Sequence, residues 1–310
     1  MTATRKSGAP RDEPQPSLGG QPLRGAHLDS TAHIMNRISS QLATRLRLVA
    51  PDGTRRPAQP PALVLVAHGS RDTRTLATVH TLIDRVRELR PGLPVHLGHI
   101  ELNEPLLPDT LATLAPLGEQ EADGAVLVPL LLSRGYHVKQ DIPQMAAESG
   151  VRTRLAAPLG PHCLLVDTLH ERLVEAGWHT PRTGAERRSS GVVLAAAGSR
   201  DPDAAVDTRR TAELLAERLG VPVLPAYASA AAPTVPEAVR ALAARGRHRV
   251  AVASYFTAPG RFATECADAA PWIAAAPLGA HLAMARLVLH RYDEAARVPA
   301  GATEPALATA

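Results

Sequence analysis

Residues 63–72 read LVLVAHGSRD, and residues 192–201 read VVLAAAGSRD. Five apolar residues with no polar break mark a strand buried on both faces, as in a parallel sheet. The Gly-Ser-Arg-Asp that follows has the chemistry of a tight turn and a helix cap. Strand and turn therefore occur twice, and His68 of the first copy is answered by Ala197 of the second. Two further phrases repeat. VPLLLSRGYHVKQDIP (128–143) has its counterpart in ASYFTAPGRFATECAD (253–268), which sets Phe262 opposite His137, and APLGPH (157–162) is matched by APLGAH (276–281). The copies lie a domain's length apart, well beyond the ~20–50 residues of solenoid repeats. Duplication followed by loss of polar groups from one copy explains the pattern and points to the first copy as the reactive one.

Outward from residue 63, strand and helix patterns alternate. After the first turn, Leu76, Val79, Leu82, Ile83, Val86 and Leu89 recur at helical spacing, and Pro91-Gly92 ends the run. The first copy then reads strand 95–101, helix 108–117, strand 124–132, helix 142–149, strand 154–156 and helix 163–176. The second reads strand 192–196, helix 204–219, strand 223–226, helix 235–244, strand 249–255, helix 261–269 and helix 282–295. Such alternation calls for parallel strands with right-handed helical crossovers. The expected fold is α/β: two similar lobes, each an open parallel sheet flanked by helices, facing across a cleft. Ligands of such sheets bind outside the carboxyl ends of the strands.

Composition sets the remaining boundaries. Residues 1–60, rich in Pro, Gly, Arg, Gln and Ser, read as a disordered extension with one short amphipathic segment near 38–49. The reactive lobe is expected over 61–176, a polar linker over 177–190, the degenerate lobe over 191–297 and a disordered tail over 298–310. Two cysteines, Cys163 and Cys266, make no disulfide framework and no C-x-x-C metal motif. With neither a run of about 18 apolar residues nor an apolar leader, a soluble cytoplasmic protein is expected. The net charge of +4 and an aromatic content of 3% give no reason to expect nucleic acid as a partner.

Chemistry concentrates at three strand ends. His68 follows the first strand, Glu101 closes the second in IELNEP (100–105), and His137 follows the third. Two imidazoles and a carboxylate on one rim suit a divalent transition metal and proton transfer near neutral pH. A lone histidine after a strand is more often structural. Here both are replaced in the duplicate, whereas a residue needed for folding should persist in both copies. The Gly-Ser-Arg-Asp turns do persist, so Gly69, Gly198, Ser70, Ser199, Asp72 and Asp201 read as turn and capping groups. His162 and His281, matched across the repeat, read as structural residues at helix starts. No G-x-G-x-x-G, P-loop or G-x-S-x-G motif follows any strand, which argues against dinucleotide, nucleotide-hydrolysing and α/β-hydrolase functions.

AHGSRD, then ELNEP, then the H-x-K-x-D-I-P run, in this order and spacing over residues 62–296, resembles the sirohydrochlorin chelatase family, including its cobaltochelatase branch. The resemblance implies a class II chelatase that inserts Fe2+ or Co2+ into sirohydrochlorin without ATP, for sirohaem or cobalamin biosynthesis, with no tightly bound cofactor. It places the family's two active-site histidines on His68 and His137, as metal ligands or proton acceptors, and its acidic residue on Glu101. A histidine-rich stretch and a cluster-binding cysteine motif, found in some members, do not occur in this sequence. Ser229 stands opposite Glu101, so one site per chain is expected. Because the substrate bears several carboxylates, Arg71, Arg74, Arg134, Lys139, Arg200 and Arg261 are candidates for binding its periphery. Iron is the leading metal and cobalt the alternative. A non-catalytic tetrapyrrole or metal carrier stays open beside the enzyme, whereas a phosphohistidine enzyme is disfavoured because no Arg precedes His68-Gly69.

Overall fold

The computed structural model describes residues 60–115 and 124–297, which fall within one compact unit. The extension expected over 1–60, apart from its last residue, and the tail expected over 298–310 lie outside the described residues.

In the first copy the order is β1 (Ala62–Ala67), α1 (Thr73–Leu89), β2 (Val95–His99), α2 (Leu107–Leu114), β3 (Ala125–Pro129), a π-helical turn (His137–Asp141), α3 (Ile142–Glu148), β4 (Thr153–Leu155) and α4 (Cys163–Glu175). After α5 (Gly184–Ser189), the second copy runs β5 (Ser190–Ala196), α6 (Pro202–Leu219), β6 (Val223–Tyr227), α7 (Val235–Ala243), β7 (Arg249–Tyr255), α8 (Arg261–Asp268), β8 (Ile273–Ala274) and α9 (Leu282–Arg297). The strands form two four-stranded sheets in the orders β2-β1-β3-β4 and β6-β5-β7-β8, with every pairing parallel. The expected α/β fold with two parallel sheets is present. No described helix is long and apolar enough to cross a membrane.

The apolar runs of β1 and β5 are unbroken because both faces of each strand are covered. Leu63 and Leu65, with Val192 and Leu194, enter one large core shared by the two copies. Val64 and Val66 face a second core under α2 and α3, and Val193 and Ala195 face a third under α7 and α8. The shared core is made by an exchange of helices. The last helix of the first copy, α4, packs on β7 of the second, while α9 packs on α1, β3 and β4 of the first. Arg90 grips Asp293 (Nη2 to Oδ2, 2.8 Å), and the Tyr292 hydroxyl donates to Pro61 O at 2.6 Å, fastening α9 to the opposite lobe.

The stretch 177–190, expected as a polar linker between the copies, carries structure of its own. Trp178 is buried in the shared core, α5 starts with a capping box of Thr183 and Glu186, and Ser190 already belongs to β5. One large indole outweighs the surrounding polar residues. The two-residue β8, too short to leave a period-2 pattern, is an addition to the sequence-derived elements. Strands expected over 95–101 and 124–132 stop early, at His99 and at Pro129. The residues beyond them still bond to β1, Ile100 N to Ala67 O at 2.9 Å and Leu130 N to Val66 O at 2.8 Å. These edge bonds hold the loops that carry the candidate site.

Candidate active site

Glu101 is delivered to His68 by backbone pairing. Its N–H donates to His68 O at 3.0 Å, one step beyond the β1–β2 register. Gly69 makes that approach possible: it has a φ of +101°, and a Cβ there would lie 1.9 Å from Glu101 O. The second copy repeats the device. Ser229 N donates to Ala197 O at 3.0 Å, and a Cβ on Gly198 would lie 1.8 Å from Ser229 O. The repeated glycines thus serve the scaffold, and the equivalence of Ser229 with Glu101 holds in space.

His68 and His137 meet edge to face, their ring centroids 4.7 Å apart and their planes at 88°. His68 Nδ1 is 3.6 Å from Glu101 Oε1, which is ion-pair range and longer than a hydrogen bond. His137 Nδ1 is 2.5 Å from Asp141 Oδ2. That second pair lies within the π-turn. Pro143 has no N–H for the carbonyl four residues before it and crowds that carbonyl, so the turn widens and Ile142 N bonds to His137 O. Asp141, seated one turn after His137, fixes the ring with its Nε2 directed away from the carboxylate. Sequence reading passed over Asp141, although it is the Asp of H-x-K-x-D-I-P; taking the helix to start at residue 142 concealed the one-turn spacing.

The two imidazoles border a cavity of about 410 Å³ whose walls come from both lobes. Lobe one supplies His68 and the segment 130–138 except Arg134; lobe two supplies Ala197, Gly198, Ser199, Tyr227, Ser229, Tyr255 and Phe262 among others. Phe262, the counterpart of His137, presents an apolar ring to the same space. Among the described residues no group of three or more His, Cys, Asp or Glu is arranged to cage a metal ion. The site offers two imidazole nitrogens and a nearby carboxylate.

The six basic candidates divide. Arg71 and Arg200, at equivalent places in the two turns, are exposed and have no carboxylate partner among the described residues. Arg74 is folded onto Asp72, with Nη2 to Oδ2 at 2.7 Å, and Arg261 lies over the Phe262 ring, 4.7 Å from its centroid, with Glu265 at 3.5 Å. Arg134 and Lys139 reach into the second lobe and bind carboxylates there. The expected caps are also present. Asp72 and Asp201 accept N–H bonds at the starts of α1 and α6, and His162 and His281 do so through Nδ1 at the starts of α4 and α9.

Two parallel α/β sheets that bring paired imidazoles from strand ends into a shared cleft define a chelatase-like α/β protein. More narrowly, the chain belongs to the CbiX family, the sirohydrochlorin chelatases, whose model matches twice, over residues 62–176 and 191–295. It is 36% identical over 117 residues to a sirohydrochlorin cobaltochelatase of Sulfolobus acidocaldarius, covering 37% of this chain and 90% of that one. It is 32% identical over 117 residues to a chloroplastic sirohydrochlorin ferrochelatase of Arabidopsis thaliana, covering 36% of this chain and spanning half of the plant protein. The fold matches SirB from Bacillus subtilis with Fe3+ at a TM-score of 0.63 and 23% identity, over 77% of this chain and 96% of that one.

Proposed function

We propose that this protein inserts a divalent ion, Fe2+ or Co2+, into sirohydrochlorin without ATP, in a single site walled by both lobes. The observation that carries the proposal is the pairing of His68 with His137, each backed by its own carboxylate. Metalation removes two pyrrole N–H protons as the ion enters, and the site holds two imidazole–carboxylate pairs. Asp141 accepts the Nδ1 proton of His137 and leaves Nε2 as the proton acceptor. Glu101 stands beside His68 at a looser distance, which suits a side chain that first meets the hydrated ion and then takes the second proton.

The incoming ion is a substrate that has to be released to the macrocycle. Two imidazoles with a carboxylate nearby hold such an ion less tightly than a closed four-ligand centre would. Arg71 and Arg200, free of carboxylate partners among the described residues, are the cations best placed for the substrate's carboxylates. Relatives described as ferrochelatase and as cobaltochelatase occur at similar identity. Ligand preference favours cobalt at equal supply, so cellular availability bears on which ion is used.

The test is anaerobic incubation of the purified protein with sirohydrochlorin and Fe2+, Co2+ or Ni2+, followed by the change in absorption spectrum. Rates above the spontaneous reaction are expected with Fe2+ or Co2+. His68→Ala and His137→Ala should abolish them while sirohydrochlorin still binds. No acceleration with any ion would overturn the enzyme in favour of a carrier.

A further inference from the structure

The copy that lacks the reactive groups holds the segment that carries one of them. Asp207, on α6 of the second lobe, is a buried carboxylate at 3% exposure. Among the described residues, its carboxylate bonds to one residue alone, in the first lobe. It accepts from Arg134 N at 2.8 Å, from Arg134 Nε at 3.1 Å and from Arg134 Nη2 at 2.7 Å. Arg134 stands three residues before His137. On the near side of it, the buried Tyr255 hydroxyl at the end of β7 donates to Leu132 O at 3.0 Å, and Thr211 Oγ1 lies 3.2 Å from the same hydroxyl. Two residues after His137, Lys139 reaches Asp201 at 2.7 Å and Asp203 at 2.8 Å, both at the start of α6. The Lys139 pairs are exposed and add little by themselves. Asp207 is the anchor, because a buried charge is tolerated only with its partner in place.

The duplication supplies an internal comparison. Pro259 occupies the place of Arg134 in the second copy, and Thr78 of α1 occupies the place of Asp207. There, among the described residues, the loop is tied across the lobes by a single neutral bond, Thr75 Oγ1 to Pro259 O at 2.7 Å, and Thr78 bonds back to Arg74 O within its own helix. The loop with a charged brace is the one that ends in His137. The loop without one ends in Phe262.

We infer that Asp207 is a positioning residue for His137: through Arg134 it holds the 130–136 segment so that the imidazole meets His68 and the metal path. Catalytic geometry is steep in this respect, since a displacement of about 1 Å can cost ~100-fold in rate. The second lobe then has a defined part in the reaction besides walling the cleft. The inference rests on the chelatase reading of the site, and one of its tests does not.

The experiment compares Asp207→Asn, Arg134→Gln and the control Thr75→Val. The braced-loop variants should lose at least about 10-fold in kcat of metalation with KM for sirohydrochlorin changed less than about 2-fold, the mark of an interaction used in the reaction step. Thr75→Val should stay within about 2-fold of wild type in both. In the substrate-free protein, the 15N imidazole signals of His137, assigned by their loss in His137→Gln, should shift or broaden in Asp207→Asn. The N-cap histidines His162 and His281 should keep theirs. Should Asp207→Asn fail to fold, Arg134→Gln breaks the same contact from its more exposed end. Unchanged kcat and unchanged His137 signals would overturn the inference, as would a rise in KM alone, which would make Arg134 a substrate contact, or an equal loss in Thr75→Val. If the wild-type protein does not metalate at all, the chelatase reading falls, while the imidazole spectra still decide whether the brace holds His137.

Discussion

His137 Nδ1 and Asp141 Oδ2 stand 2.5 Å apart across a π-turn, so the carboxylate dictates the tautomer of the ring. Asp141→Asn keeps the shape but allows the amide to donate to Nδ1, which would turn the proton-bearing nitrogen toward the cleft. Losses of about 10–100-fold in metalation rate are expected, in line with other second partners of site histidines. Stopped-flow absorbance with sirohydrochlorin in excess would measure them; a rate within 2-fold of wild type would remove Asp141 from the mechanism.

The paired turns separate stability from chemistry. Gly69→Ala and Gly198→Ala each force a Cβ onto a carbonyl, at φ values of +101° and +92°. Each should cost about 1–3 kcal/mol or more, lowering the Tm by roughly 2–12 °C. Only Gly69→Ala displaces Glu101 from His68, so only it should also lose metalation when assayed well below its Tm. Equal activity losses in the two variants, measured beside calorimetric Tm values, would contradict reactive groups confined to the first lobe.

Exchange of α4 and α9 makes the two repeats one folding unit. Fragments 60–183 and 184–297 each lack the helix that covers their own sheet, leaving part of β3 or β7 bare. Expressed alone, each should bind a hydrophobic dye and lack a sharp unfolding transition, whereas co-expression should restore a soluble complex. A cooperatively unfolding single fragment, seen by near-UV circular dichroism, would count against the exchange.

Acidification should destabilise the fold before the carboxylates titrate. Burial holds His96, His99, His162 and His170 below the ordinary histidine range, with nearby Arg87 adding to the effect at His96 and Arg291 at His162. A depressed histidine means that the unfolded chain binds more protons than the folded one. Stability is therefore full above the unfolded value of ~6.5 and declines as the pH falls through it toward the folded values. The Tm is expected to drop between pH 7.5 and 5.5, and the drop should be smaller in His99→Gln, since His99 is a buried residue at 1% exposure. A Tm independent of pH over that interval would show the four rings to be indifferent to protonation.

The amino-acid order by itself determined the strands, the turns and the asymmetry of the site. Unbroken apolar runs mean two covered faces, positive-φ turns demand glycine, and residues retained or lost between copies separate shared turns from unshared side chains, so His68, Glu101 and His137 stood out as candidates without coordinates. Local pattern carries no record of which distant surface a helix covers. The exchange of α4 and α9 therefore became visible only in the fold, as did the burial of Trp178 within a polar stretch. Asp141 escaped because a helix taken to begin at residue 142 leaves it outside, and its i,i+4 relation to His137 shows only once the helical turn starts at His137. Asp207 escaped because an Asp inside a helix pattern looks solvated until a guanidinium from the other lobe is seen upon it. Arg134 and Lys139 belong with it: their charge was evident in the chain, but the carboxylates that engage them lie 62–73 residues away, and only tertiary packing brings the partners together.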